Sequence, residues 1–420
     1  FFVRVILNEG VMNNLETRKY PHVLALQCAP LPIVRIAFIG LGRRGRQSLV
    51  NYMHLDGVVI RALCDLRQEN RDAAREILKS HHKPMPDEYG GADDWKAVCR
   101  RDDIDLVYIC TSIRWHADIA VYAMEHGKHV ACEVPIANTI ADCWRIVDAA
   151  ERYRRHCMML ENCCYDRFEM AALHLCSQGI VGEITHAEGS YVHDLRNIDF
   201  SKRPDYIGHW LTTGNPYPTH GLGPLCQTMN IHRGDRLERL VSVSNGQFNY
   251  PEVAGRDMTS ECRLGNMNTT ILTTLKGKTI LLQHDISSPR PYERRYLLSG
   301  TQGFIEKGSH GRMQSLIPGA DEMNEQEAFF ARYDHPFYQT HGEQARQIGF
   351  HGGMDFMMDY RLIHCLRQGL PLDMDVYDAV EWSSLVELTS LSVRQGSVPV
   401  EIPDFTRGAW NELPRLTFAP

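Results

Sequence analysis

Between residues 33 and 160 the chain repeats one pattern: a short apolar run, a turn, then a polar amphipathic stretch. The runs at 33–39, 58–64, 106–110, 128–132 and 158–160 predict buried parallel strands, and the stretches 72–79 and 118–126 predict helices between them. Thr139, with Asp142 three residues on, predicts another helix start. Beyond about residue 180 the period changes, and longer alternating stretches at 185–192, 240–248, 269–275 and 279–284 predict a mostly antiparallel sheet. Helical periodicity returns where Met354, Met358, Leu362 and Leu366 share a stripe and 376–391 forms a second amphipathic stretch. The expected fold class is α/β plus α+β. An extension over residues 1–32 precedes a doubly wound parallel-sheet domain over 33–165. An open, mostly antiparallel sheet domain with helices on one face follows over 166–420, its last helices able to pack back on the first domain.

Composition narrows the class. The 420 residues suit two domains, and 43% hydrophobic with 23% charged residues excludes a disordered chain. Lys and Arg number 45 against 52 Asp and Glu, a net charge of −7, so no basic excess points to nucleic acid. No run reaches the roughly 18 apolar residues of a membrane span. The 13 cysteines are strewn through apolar segments (Cys64, Cys110, Cys132, Cys157, Cys226), which suits buried thiols better than a disulfide framework. His186, His193, His209 and the pair Cys163-Cys164 lack metal-ligand spacing, so no metal is expected. The opening Phe1-Phe2-Val3, without Met, reads as a trimmed product. The apolar stretch before Cys28 is too short for a lipoprotein signal, so a folded extension is expected.

The sharpest motif is Gly40-Leu41-Gly42-Arg43-Arg44-Gly45, between an apolar strand and a helical pattern. Its glycines permit a tight turn, approach of backbone to a pyrophosphate, and packing of helix on strand. Asp65 ends the next strand, where a carboxylate accepts from ribose hydroxyls and repels a 2′-phosphate, so NAD is expected over NADP. Ligands in such sheets bind at the carboxyl ends of strands, which adds the 111–116 segment, Glu133 and Glu161-Asn162 to the same crevice.

These residues resemble the Gfo/Idh/MocA oxidoreductases, in which a Rossmann domain precedes an α+β domain that presents the substrate. That family carries a Glu-Lys-Pro triplet whose lysine assists hydride transfer. Here it reads Glu133-Val134-Pro135, and valine cannot polarise a hydroxyl. Five stretches look like family 109 of the glycoside hydrolases: Leu160–Tyr165, Tyr191–Leu195, Tyr217–Pro224, His351–Phe356 and Pro403–Gly408. The likeness covers about residues 33–413. It implies an α-N-acetylgalactosaminidase that uses NAD without consuming it. It places cofactor contacts on the motif residues Gly40, Gly42, Arg43, Arg44 and Gly45, on Asp65, on Ile113, Arg114, Trp115 and His116, and on Glu133, Val134, Asn162 and Tyr217. Substrate contacts fall on Tyr191, Tyr217, Pro218, Thr219, His220 and Tyr292, with Arg203 the nearest candidate for an arginine between the two tyrosine blocks. A bacterial periplasmic or secreted location follows, with the cytoplasm as the alternative.

A direct hydrolase sets two carboxylates across the glycosidic bond, and Glu188, Asp194 and Asp205 are candidates. A nicotinamide site suggests another route: hydride leaves sugar C3, the C2 proton becomes acidic, the aglycone departs, water adds, and hydride returns. His220 is the candidate for the C3 hydroxyl or the leaving group, and Tyr191 for the C2 base, with the reverse assignment open. His193 and Asp194 either orient neighbours or pair with each other. The alternative function is an NAD-dependent sugar oxidoreductase, which Val134 disfavours. An open sheet with one uncovered face also predicts a homo-oligomer.

Overall fold

The computed structural model describes residues 19–198, 207–250, 258–308, 313–317, 326–348 and 350–418. Its first sheet contains β1 (Val34–Ile39), β2 (Val58–Cys64), β3 (Asp87–Tyr89), β4 (Leu106–Ile109), β5 (His129–Cys132) and β6 (Cys157–Met159). All pairs are parallel, in the order β3-β2-β1-β4-β5-β6. Every residue of β4, β5 and β6 is buried, as expected of strands covered on both faces. The order reverses between β1 and β4, which opens a crevice at their carboxyl ends. The helix Ile140–Tyr153 begins as its sequence predicts, with Thr139 Oγ1 accepting from Asp142 N–H at 3.1 Å.

The second sheet holds β7 (Ile184–Val192), β8 (Leu237–Ser244), β9 (Asn268–Thr274), β10 (Thr279–Asp285), β11 (Tyr296–Gly300), β12 (Phe304–Lys307), β13 (Met313–Leu316) and β14 (Val400–Glu401). The order is β13-β12-β11-β7-β10-β9-β8-β14, antiparallel throughout except for the parallel pair β7–β10, which sets Tyr191 beside His284. The helix Thr219–Thr228 lies on one face of β7 at backbone contact distance. A Cβ on Gly189 would stand 2.1 Å from the Gly221 carbonyl oxygen, and one on Gly221 would stand 3.0 Å from Ser190 N. Only glycine at both places allows this approach.

The two late helices tie the sheets together. Met354–Gln368 packs on Arg43–Met53, where Asp359 accepts from Asn51 Nδ2 (2.8 Å) and Tyr108 OH (3.0 Å). Val376–Arg394 bridges both sheets: Ser383 Oγ accepts from Ile136 N–H (3.1 Å) and Ser392 Oγ from Ser242 N–H (2.9 Å). Within the extension, Val23, Leu24 and Leu26 are buried, and Val23 N–H donates to Tyr377 OH at 3.1 Å. Residues 1–18 lie outside the described residues. The strand expected at 240–248 runs from Leu237 to Ser244. Strands β11–β13 and the helices Arg167–Ser177, Gln326–Tyr333 and Pro336–Ile348 carried too few periodic positions to be predicted. All 13 cysteines are free thiols, ten of them buried. No described helix is long and apolar enough to cross a membrane.

Candidate functional site

The glycine turn has the geometry its sequence requires. Gly40 sits at φ +91°, and a Cβ there would strike the Cys110 carbonyl carbon and oxygen at 2.5 Å; one on Gly45 would meet Gly40 O at 2.1 Å. At Gly42 a Cβ would meet nothing within 4 Å. Gly42 also begins the helix Arg43–Met53, whose first N–H groups receive no side-chain cap. Open space in front of uncapped N–H groups at the positive end of a helix is what a pyrophosphate needs. Asp65 closes the turn from the side, its Oδ2 accepting from Leu41 N–H at 2.6 Å and its Oδ1 from Arg67 N–H at 2.8 Å. Arg43 is exposed at the helix start.

Arg44 turns inward. Its guanidinium donates to Glu133 at 2.6 Å and to both oxygens of Asp355 at 2.7 and 3.3 Å. Asp355 also accepts from Asn162 Nδ2 (2.5 Å) and pairs with His351 Nδ1 (2.8 Å). Burial pushes the Glu133 carboxyl above its ordinary value against the pull of Arg44. Burial also opposes ionisation of Asp355, yet Arg44 and His351 outweigh it and hold that carboxyl well below the usual aspartate range. Arg44 therefore clamps the floor of the crevice. Ile113, Arg114 and Trp115 form a short turn at its rim, with Arg114 over the Trp115 ring. His116 is buried, its ring nitrogens against the carbonyls of Pro135 (2.9 Å) and Thr111 (3.0 Å), so it fastens two crevice loops together. Val134 is half-buried against the core, ahead of a cis peptide to Pro135.

Neighbouring residues at the end of β6 join this crevice to a second cluster. Asn162 reaches Asp355, and Glu161 accepts from His220 Nδ1 at 2.6 Å. Glu161 is fully buried and also accepts from Cys163 N–H at 3.1 Å. Burial alone would raise its carboxyl, but His220 and the surrounding donors hold it below the ordinary glutamate value. With Nδ1–H given to Glu161, Nε2 is the basic atom of the His220 ring. His220 lies at the start of the helix Thr219–Thr228, behind Pro218 and the buried Thr219. Its ring meets Tyr217 at 4.7 Å and Tyr191 at 5.4 Å, both edge-on. Tyr191 OH is 2.9 Å from His193 Nδ1, and Tyr292, half exposed, stands 6.3 Å from Tyr191.

Sequence reasoning named His220, Tyr191, Tyr217 and Tyr292 together, and space gathers them. Arg203 and Asp205 lie outside the described residues. The other carboxylates do not flank this cluster. Glu188 is three positions from Tyr191, hence on the opposite face of β7, where Arg295 holds it at 2.9 Å. Asp194 forks onto Arg196 at 2.8 Å, while His193 meets Tyr191. Two partners were missed, Glu161 as the holder of His220 and Asp355 as the hub for Arg44, although both stand in stretches that carried the resemblance. Folding also brings together donors that lack metal spacing in sequence. Glu161, Cys163 and His220 have donor atoms within 4.8 Å of one another, as do Cys28, His129 and His156. In the first group His220 is bonded to Glu161, and in the second His129 Nδ1 accepts the His156 N–H at 3.1 Å.

The parallel sheet and its glycine crevice define an NAD-binding Rossmann domain joined to a sheet domain that presents ionisable aromatic chemistry at the crevice mouth. Residues 34–161 match the oxidoreductase family with an NAD-binding Rossmann fold, and residues 165–412 match the C-terminal domain of glycosyl hydrolase 109. The chain is 51% identical to glycosyl hydrolase family 109 protein 2 of Phocaeicola vulgatus, across 94% of this chain and 100% of that one. It is also 51% identical to an alpha-N-acetylgalactosaminidase of Bacteroides fragilis, across 95% and 98%. This chain belongs to glycosyl hydrolase family 109. A levoglucosan dehydrogenase solved with NADH shares the fold at TM-score 0.67 and 16% identity, over 88% of this chain and 99% of that one.

Proposed function

We propose that the protein cleaves terminal α-N-acetylgalactosamine from glycoconjugates, with a nicotinamide dinucleotide that stays bound and is restored in each turnover. What carries this reading is the pair of buried Glu161 and half-buried His220, its imidazole set edge-on to Tyr191. The name of the Bacteroides fragilis relative supports the substrate. Asp65, beside the turn, favours NAD over NADP, and Gly42 with the uncapped helix start would hold the pyrophosphate. When bound, the nicotinamide supplies an acceptor and later a donor of hydride at sugar C3, which makes the C2 proton acidic in between.

The protein's own groups move protons. His220 Nε2 takes the C3 hydroxyl proton or delivers one to the leaving oxygen, and Glu161 steadies the imidazolium that forms. Tyr191 is the C2 base, with His193 against its oxygen. Tyr217 and Tyr292 complete the sugar-facing set in this reading. Val134 leaves the crevice without the amine a sugar dehydrogenase of this fold would use. Purified protein with no added cofactor is expected to release the aglycone from an aryl α-N-acetylgalactosaminide; a strict need for added NAD, with NADH accumulating in step, would overturn the proposal in favour of a dehydrogenase.

A homo-oligomer through the uncovered face of the second sheet is part of this reading. Val241, Ile271 and Leu281 pair side by side across β8, β9 and β10, and Ile271 is 52% exposed.

A further inference from the structure

Asp355 moves no proton in the proposed chemistry, yet its carboxylate is bonded on every side. Its side chain is only 2% exposed. Oδ1 accepts from Asn162 Nδ2 (2.5 Å) and Arg44 Nη2 (3.3 Å), and Oδ2 accepts from Arg44 Nη1 (2.7 Å) and meets His351 Nδ1 (2.8 Å). These four groups match the roughly four lone-pair sites of a carboxylate. The backbone is shaped to the same end. His351, Gly352 and Gly353 all take positive φ, at 50°, 71° and 100°, and so bring the His351 ring back onto Asp355 four positions on, in the first turn of the helix Met354–Gln368. A Cβ on Gly353 would stand 2.7 Å from the Ala345 carbonyl carbon, which excludes other residues there. His351 does carry a Cβ, and a side chain held in the left-handed region is a local strain of the kind that marks a position kept for use.

What this carboxylate fixes is Arg44, the second residue of the helix that starts at the open space around Gly42. Three of the five guanidinium N–H groups are committed, one to Glu133 and two to Asp355. The fork on Asp355 spans 311 positions and crosses from the Rossmann domain to the C-terminal domain. We propose that Asp355, with His351 behind it, is a positioning residue that latches Arg44 across the crevice and thereby sets how slowly the dinucleotide leaves. The inference rests on the proposed function, in which one dinucleotide serves turnover after turnover, and names the device that retains it. A forked carboxylate fixes the plane of the guanidinium, so the two N–H groups left over are ordered before a cofactor arrives and need not be ordered by it. Without Asp355 the same arginine is a loose arm, and a bond between the two domains over the crevice is gone.

The test follows exchange of the dinucleotide carried by the purified protein, chased with an excess of a fluorescent ethenoadenine analogue of NAD. The wild type is expected to exchange far more slowly than it turns over. Asp355→Asn keeps the shape and removes the charge, and should exchange at least about tenfold faster, with the larger share of its activity loss falling on KM for added NAD rather than on kcat. His351→Gly removes the imidazole at a φ that glycine accepts, and should speed exchange about two- to fivefold, the modest effect of a half-exposed pair. Arg44→Gln should exchange about as fast as Asp355→Asn, and the double variant no faster than the quicker single one, because both act through one fork. Exchange at the wild-type rate in Asp355→Asn, a loss confined to kcat, or effects that multiply in the double variant would overturn the inference. A wild type that exchanges its dinucleotide within each turnover contradicts the proposed function itself, so the two failures are distinct.

Discussion

At the residue scale, one hydrogen bond, from His220 to Glu161, carries the proposed chemistry. Glu161 and His220 are 59 positions apart in the chain, and no local pattern marks a pair that only the folding of the helix Thr219–Thr228 against the end of β6 creates. His220 and Tyr191 were legible because they stand in stretches that resemble a family. Glu161 was legible only as a strand-end residue, and Asp355 only as part of a stretch, since its partner Arg44 lies 311 residues away. The nominal cofactor contact His116 could not be recognised as a fastener between loops, because that depends on the carbonyls of Thr111 and Pro135 turning toward it. His220→Ala and Tyr191→Phe are each expected to lower kcat by roughly 10²-fold or more, the usual loss when acid–base assistance goes. Glu161→Gln keeps the shape of its side chain and loses the charge that steadies the imidazolium. Its kcat should fall about 10- to 100-fold with the bound dinucleotide retained, as absorbance and steady-state rates would reveal. A full rate in Glu161→Gln contradicts the pairing.

Elements were read unevenly for physical reasons. The parallel strands were plain because both faces are buried and their runs are almost wholly apolar. Strands β11–β13 have four or five residues each, too few for period 2 to stand out. The close seating of the helix Thr219–Thr228 on β7 was invisible until Gly189 and Gly221 were seen face to face. Gly189→Ala would drive a methyl into the Gly221 carbonyl, lift that helix and carry His220 off its line to Tyr191. We expect a loss of about 1–3 kcal/mol in denaturant unfolding and a larger relative loss of kcat than of stability.

The helix Met354–Gln368 contributes a pH effect. Asp359 is buried against Asn51 and Tyr108, and burial raises its carboxyl to about 7 from an unfolded value of 3.8. Folding therefore binds a proton between those values. The contribution is fully present below about pH 4 and is lost as pH rises through 7, where a buried charge must form. Asp359→Asn should raise Tm at pH 8.5, by an amount corresponding to at most about 4 kcal/mol, and by less than half of that amount at pH 5. Equal shifts at both values would contradict a protonation cause.

For the whole molecule, two sheets share one long helix, and the proposed catalytic cluster forms where they meet. The division into two domains could be read from the change of period near residue 180, the glycine motif marked the first as nucleotide-binding, and the resemblance implied that the second presents a sugar. The way the C-terminal helices lock the parts together could not, because contacts such as Asn51 with Asp359 join residues 308 positions apart. The exposed apolar row on the second sheet sets the assembly prediction. Ile271→Glu places a charge in its middle and should convert the oligomer to monomers by light scattering at unchanged circular dichroism; a wild type that is already monomeric excludes that interface.

The central claim is that cleavage proceeds through removal of the C2 proton by this cluster while the dinucleotide is restored. It is tested most directly by running the aryl α-N-acetylgalactosaminide reaction in deuterated water with no cofactor added, then reading the released sugar by NMR. The expected result is aglycone release with deuterium at C2 and no net NADH. Release with hydrogen retained at C2 would contradict it.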